Sequence, residues 1–255
     1  MRIRRIILAL AMLAVAALPV GAADFWGTRL AGTPSDFLFG YGSLMNSQSR
    51  EDTAGMATVA VPARISAGFG YVREWNVRAT GPKFTALGIR PRRPDEGGGS
   101  INGVVFPVDA AMLEKFDRRE SGYDRVEVPA GQIESAGWLS LPRQGRVWVY
   151  VPKPDRHPQL PDAGFPIVQS YVDLCVKGAL EHGEDFAAEF LETTQGWSRF
   201  WLNDRLVPRR PWVHEKDAGR IDRLLAKFPA DPSRNAFPTR LLPEEYSNLI
   251  APPSR

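Results

Sequence analysis

"DFLFGYGSLMNSQSR", residues 36–50, is an apolar run that stops at two glycines bracketing a tyrosine, with a serine directly after them. The aromatic and aliphatic start reads as a strand, and the glycines give its end an unusually permissive backbone. Three known motifs share part of this composition, and each fails. A phosphate-binding P-loop needs a lysine followed by Ser or Thr, and no lysine follows here. A nucleophile elbow needs G-x-S-x-G, but "YGSLM" lacks the second glycine, and no histidine and acid are placed to activate Ser43. A dinucleotide fingerprint fails on its third glycine. Two readings remain. The stretch is a tight turn, or it is a loop that offers several backbone N–H groups to a carboxylate or carbonyl oxygen.

Outward from this stretch, further segments read as strands because β-branched and aromatic residues dominate them between turn residues. They are "VAVPARI", "GYVREWNVRA", "FTALGI", "INGVVFPV", "YDRVEVP" and "RVWVYVP". The spacing leaves no room for a helix between each pair, so an antiparallel or mixed sheet of an α+β protein is expected, not a doubly wound one. "RPDEGGGS" reads as a flexible loop. "DAAMLEKFDRRE" predicts a helix with Asp109 as N-cap and Met112, Leu113 and Phe116 on one face. "FPIVQSYVDLCVKGALEHG" predicts a helix from Pro166 to Gly183, with Ile167, Tyr171, Leu174 and Cys175 sharing a face. "EDFAAEFLETT" and "RIDRLLAKF" predict two more. The segment after residue 196 reads as an extension wrapped on the main domain, with Trp197, Trp201 and Trp212 as packing anchors and a Pro-rich tail from Pro229 to Arg255.

The 255 residues carry 32 Lys and Arg against 29 Asp and Glu. The first 22 residues have the form of a secretory signal: basic "MRIRR", apolar "IILALAMLAVAALPV", then small residues that allow cleavage after Ala22 or Ala23. As a helix the apolar stretch would reach about 22 Å, short of the roughly 30 Å hydrocarbon core. Export to the periplasm or beyond is therefore expected, with an uncleaved anchor as the rival and no lasting membrane span after cleavage. Arg2, Arg4 and Arg5 lie in the signal, so the mature chain is close to neutral. That removes the electrostatic basis for nucleic-acid binding; "RPRRP", residues 90–94, reads as a solvated loop. Cys175 stands alone, which excludes an intrachain disulfide, and His157, His182 and His214 show no ligand-like spacing. Neither a metal nor a cofactor is called for, and oligomeric state is not legible.

"EKFDRRESGYDRVEV" supplies the second chemical feature. Glu120 ends a helix just before the chain turns into a strand, where the negative end of the helix dipole disfavours a charged carboxylate. Arg118 and Arg119 would oppose that effect if they point the same way. Most glutamates in such a place are simply solvated.

Taken in order, these pieces resemble the γ-glutamylcyclotransferase-like (AIG2-like) superfamily. "YGSL" at 41–44 is followed by "INGVVFPV", similar to the family strand that precedes the acid-bearing helix, and by D-x-x-E within "FDRRESGYDRVEV" at 116–128. "PIVQSYVDLCVKGALEHG" is similar to the family's closing P-x-x-x-x-Y helix. The resemblance runs over roughly residues 36–200. It implies a mixed, partly closed sheet or barrel flanked by helices for a domain at 36–196, which lies between the signal at 1–22 and a C-terminal extension at 197–255. It implies cyclisation of a γ-glutamyl amide or peptide to 5-oxoproline with release of an amine. The substrate's own α-amine is the nucleophile, so no metal or cofactor takes part. By motif position Glu120 is similar to the family's catalytic glutamate, which the resemblance implies acts as both base and acid. The resemblance implies that Gly40, Tyr41, Gly42, Ser43 and Leu44 match the loop that holds the γ-glutamyl group, and that Tyr171 matches the tyrosine that meets the substrate. An ordinary core aromatic on a helix face is the other reading of Tyr171. Asp117 is a structural partner at the helix end. The chain departs from the family in reading "YGSLMN" where "YGSN" is common, in its export signal and in its Trp-rich extension. These departures bear on the substrate more than on the fold. Two alternatives stand beside this reading: a non-catalytic module of the cell envelope that binds γ-glutamyl compounds or amino acids, and an envelope interaction protein that uses the Trp-rich tail for a partner or for peptidoglycan-derived peptides.

Overall fold

The computed structural model describes residues 22–97, 99–155, 159–209, 216–227 and 240–251. A short hairpin, β1 (Ala23–Phe25) and β2 (Thr28–Leu30), precedes the main sheet. The strands that follow are β3 (Asp36–Gly40), β4 (Val61–Ile65), β5 (Tyr71–Ala79), β6 (Phe84–Pro91), β7 (Ile101–Val108), β8 (Tyr123–Val128), β9 (Ile133–Ser135) and β10 (Arg146–Pro152). All seven segments read as strands from the sequence are strands. Three two-residue strands complete the set: β11 (Ile167–Val168), β12 (Thr194–Gln195) and β13 (Trp201–Leu202). The helices are α1 (Ser47–Ala54), α2 (Ala110–Arg119), α3 (Gln169–Leu180), α4 (Glu184–Thr193), α5 (Ala218–Ala226) and α6 (Pro243–Ile250).

Six strands pair in the order β8-β10-β3-β7-β4-β9, and β12-β5-β6 form a separate sheet. The fold is α+β and the large sheet is mixed, because β3 runs parallel to β10 and antiparallel to β7. No barrel closes among the described residues; the order of strands ends in two edges, β8 and β9. Strand β7 is buried at every position, as its nearly continuous apolar sequence requires of a strand covered on both faces. Pro107, which has no amide hydrogen, sits beyond the residues that pair with β4, where its missing donor costs no ladder bond on that side.

Helix α2 behaves as its sequence predicts: the Asp109 carboxylate accepts the Met112 N–H at 2.8 Å, and Met112 and Phe116 are buried. Helix α3 differs in two ways. Ile167 and Val168 are not helical; this β-branched pair forms β11 and lies parallel to Trp201 and Leu202, so the helix begins at Gln169. The helix also has no single apolar face. Every residue from Gln169 to Leu180 except Lys177 is buried, because the sheets, α4 and the extension surround it. Cys175 is a buried thiol that forms no disulfide.

Other expectations need correction. Arg90 of "RPRRP" is 6% exposed and bridges Glu74 and Glu96, so this run is anchored and not simply solvated. Part of the Pro-rich tail is helical, since Pro243 stands in the first turn of α6, where proline fits, and the Glu245 side chain accepts the Leu242 N–H. Trp197 and Trp201 are buried, with ring centroids 4.9 Å apart. Trp212, His157, His214 and the signal sequence through residue 21 lie outside the described residues. Among the described residues no helix is long and apolar enough to cross a membrane, and no group of three or more His, Cys, Asp or Glu side chains could hold a metal ion.

Candidate active site

The chain leaves β3 at Gly40 and folds straight into a 3-10 turn, Ser43–Met45, closed by the Met45 N–H on the Gly42 carbonyl at 2.9 Å. A β-carbon at Gly40 would fall 2.7 Å from Leu44 Cβ, so the first glycine serves the return of the loop over its own strand. Gly42 is different. A β-carbon there would stand at ordinary contact distance, 3.5 Å from the Tyr171 hydroxyl and 3.6 Å from Leu87 Cβ, where it would occupy pocket space. The first amides of such a turn, those of Ser43 and Leu44, have no partner within it. Asn46 then caps α1 by accepting the Ser49 N–H.

Facing this loop is a pocket with about 350 Å³ of free space, its open mouth included. All seven residues singled out by sequence line it: Gly40, Tyr41, Gly42, Ser43, Leu44, Glu120 and Tyr171. Four others line it that sequence reading did not name: Phe39, Leu87, Tyr123 and Tyr150. Tyr123 lies inside the "FDRRESGYDRVEV" stretch and could have been taken with it. Tyr150 could not, because its place depends on the parallel pairing of β10 with β3.

Glu120 ends α2 with its N–H on the Phe116 carbonyl and its own carbonyl accepting the Tyr123 N–H, both at 2.8 Å. Its side chain is 16% exposed, and Arg119 Nε lies 3.1 Å from its Oε1. Arg119 was read from sequence only as an opposing charge; it is also a fastening. Its guanidinium donates to the Ser49 carbonyl, Ser49 Oγ, Thr53 Oγ1 and Ser43 Oγ at 2.6 to 3.0 Å. One side chain thus joins Glu120 to the glycine loop. Arg118 points elsewhere, 3.8 Å from Glu114 on the helix surface.

Tyr41 and Tyr150 are held as neutral donors. Tyr41 gives its hydroxyl proton to the Tyr150 carbonyl at 2.8 Å. Burial first, and then the negative charge of Glu120, push its phenol well above the ordinary range. Tyr150 donates to Asp117 Oδ1 at 2.9 Å, and burial followed by that bond raises its phenol too. Asp117 also takes Arg125 Nε at 2.9 Å, the structural part expected of it. Tyr171 enters from the first turn of α3, with its ring 5.9 Å from Trp75 and 5.1 Å from Phe84.

A second, wider space of about 740 Å³ adjoins the first and shares Ser43, Glu120, Tyr123 and Tyr171 with it. Its other walls include Val77, Arg78, Phe84 and Ser121. Glu120 therefore stands where a narrow inner chamber meets a broad outer one.

A family model described as gamma-glutamyl cyclotransferase, AIG2-like, matches residues 38–166, just over half of the sequence. The chain belongs to the AIG2-like γ-glutamyl cyclotransferase family. That membership supports a cyclotransferase type of activity in general. Among solved structures, a γ-glutamyl cyclotransferase is similar at 16% identity over 59% of this chain and 85% of that one, with a TM-score of 0.42. A protein from Homo sapiens is similar at 17% identity over the same shares, with a TM-score of 0.43. A yeast γ-glutamyl cyclotransferase specific to glutathione is similar at 15% identity over 62% and 87%, with a TM-score of 0.33. No curated protein matches. At these scores the family assignment rests on the sequence match.

Proposed function

We propose that the protein cyclises a γ-glutamyl amide or peptide to 5-oxoproline and releases the amine. The supporting observation is the position of Glu120 at the junction of the two chambers, beside the glycine loop. The inner chamber suits the γ-glutamyl group, and the outer one suits the amine that leaves. The scissile amide then lies at the junction. A carboxylate is needed at that point because both proton movements occur there.

The substrate's α-ammonium must lose a proton before its nitrogen can attack the γ-carbonyl. The Glu120 carboxyl group, held beside Arg119, is the group placed to accept it. Attack forms the ring C–N bond, and the loop amides can face the oxygen that becomes negative. The amide C–N bond then breaks, and the proton passes from Glu120 to the departing nitrogen. Loss of the second ammonium proton balances the formation of a protonated amine product. Because the attack is intramolecular, holding the substrate folded supplies several kcal/mol of the barrier reduction.

The unassisted proton transfer is uphill. An α-amine near 8 and an ordinary glutamate near 4.3 differ by about 5 kcal/mol of transfer free energy. That cost favours a second reading, a binding module that keeps the pocket and does no chemistry. One experiment separates the two. Glu120→Gln should lower 5-oxoproline release from a panel of γ-glutamyl dipeptides, glutathione and γ-glutamyl-lysine by about 10²- to 10⁴-fold. Its circular dichroism and melting should match the wild type. Thermal stabilisation of the wild type by these compounds without product would establish the binder instead.

We also propose that the protein acts outside the cytoplasm, on the strength of its basic, then apolar, then small-residue N-terminal sequence. Cell fractionation with N-terminal sequencing tests this: a mature chain that starts after Ala22 or Ala23 supports it, and an intact soluble cytoplasmic chain refutes it.

A further inference from the structure

Tyr171 enters the pocket from the third residue of α3, and the start of that helix is held by the C-terminal extension. The helix N-cap is Val168, whose side chain can accept no hydrogen bond, while the first amides of any helix need acceptors. Asp204 supplies one from 34 residues downstream. Its Oδ1 accepts the Ser170 N–H at 2.8 Å, and its Oδ2 accepts the Ser170 hydroxyl at 2.7 Å. The carboxylate is almost wholly buried, takes the Arg209 N–H as well, and sets a negative charge against the positive end of α3.

The next residue acts on the other side of Tyr171. Arg205 donates two hydrogen bonds to the buried Asp173 carboxylate at 2.7 and 2.8 Å, and a third to Asp222 of α5 at 2.8 Å. Two consecutive residues of the extension thus fix Ser170 and Asp173, with Tyr171 between them. The aromatic contacts run the same way. Tyr171 lies against Trp75, and Trp75 lies 5.1 Å from Trp197.

We infer that Asp204 is a positioning residue for Tyr171. The extension provides the cap that α3 lacks in its own sequence, and so sets where the phenol stands relative to Gly42 and Glu120. Asp204 does not line either chamber and acts only through the helix start. The inference rests on the proposed reading in that Tyr171 is taken to meet the substrate.

A double-mutant cycle in the full chain tests it. Asp204→Ala and Tyr171→Phe should each lower kcat/KM for 5-oxoproline release by about ten- to a hundredfold, as misplacement of a site group does. The double variant should be no slower than Tyr171→Phe alone. Losses that multiply, or an Asp204→Ala variant that only melts lower while keeping full kcat/KM, overturn the inference. If Asp204→Ala does not fold, Asp204→Asn and Ser170→Ala remove part of the contact and enter the same cycle. A measurement that needs no turnover accompanies it: ¹⁹F NMR of fluorotyrosine-labelled protein, with the Tyr171 signal assigned through Tyr171→Phe. Asp204→Asn should displace the Tyr171 resonance and leave that of Tyr71, which stacks on Phe69, in place; an unmoved Tyr171 signal refutes the inference. A wild type that releases no 5-oxoproline sinks the proposed reaction alone, and the NMR result then decides the positioning.

Discussion

The glycine loop and the first turn of α3 face each other across the pocket, but they are fastened by different means. The loop continues β3, which is registered by main-chain ladders on both sides, against β10 from Asp36 to Phe39 and against β7 from Asp36 to Gly40. The start of α3 follows a strand of two residues and depends on side chains from the extension: Asp204, Arg205 and the Trp197–Trp201 pair. A ladder is a property of a whole strand and survives single changes of side chain. A side-chain network of buried charges does not, because removing one partner leaves the other unpaired. Remote substitutions should therefore disturb the α3 side of the pocket more than the loop side.

Arg73 is the strongest way to break that contrast. It is fully buried, and its guanidinium donates to the Tyr41 carbonyl at 3.3 Å, to the Asn102 carbonyl and Oδ1, to the Phe190 carbonyl and to the hydroxyls of Thr193 and Thr194. Each of these acceptors is neutral, and burial draws the guanidinium down to about 9. Arg73 thus ties the loop to the end of α4 by side-chain bonds alone. Arg73→Met should lower unfolding free energy in urea by about 4 kcal/mol, or prevent folding, because several buried acceptors lose their donor together. A loss below about 1 kcal/mol would mean that the ladders alone hold the loop.

Acid probes the far end of α3. His182 packs edge-on against Phe186, and its Nε2 is buried without a partner. Burial, and then the nearby Arg50 cation, push it down to about 4 from an ordinary 6.5. The unfolded chain therefore binds a proton that the folded chain refuses between those two values. Stability should be complete above about pH 6.5, fall as the pH drops toward 4, and level off below that as far as this group is concerned. The shift corresponds to a loss of up to about 3 kcal/mol. Urea midpoints from pH 7.5 to 4 should fall less steeply in His182→Gln. Equal slopes in the two proteins would remove His182 as the cause.

What the sequence made legible follows the same division. The seven strands and the Asp109 cap of α2 were readable because each depends on its own few residues. Every residue of the glycine loop, together with Glu120 and Tyr171, was found through ordered local motifs, and all line one pocket. The start of α3 was misplaced because Ile167 and Val168 fit either a helix or a strand, and their partners Trp201 and Leu202 are far along the chain. Tyr150, Leu87 and Arg73 are not legible in the sequence for the same reason. Their places depend on which strands pair and where buried groups find partners, and spacing along one sequence records neither. Arg119 was visible, yet its bonds to Ser43 and Ser49 required α1 and α2 to be packed together.

Gly178 gives the smallest of these effects and the sharpest test of how the two sides of the pocket communicate. It lies on α3 where the helix rests directly on the chain leaving the glycine loop. A β-carbon there would fall 2.6 Å from the Met45 carbonyl carbon and run into the Asn46 amide, both main-chain atoms that cannot rotate away. Gly178→Ala gains helix propensity but must push α3 off the loop, and overpacking of this kind costs about 2 kcal/mol net. The displacement would move Tyr171 away from Gly42, whose β-position is now 3.5 Å from its hydroxyl. Gly178→Ala should therefore lose turnover beyond what its lower melting temperature explains when assayed well below that temperature. Gly131 is a control, because a β-carbon there meets nothing within 4 Å and Gly131→Ala should leave both quantities unchanged. If Gly178→Ala melts lower but turns over like the wild type, the helix and the loop are held independently, and the contact between them serves stability alone.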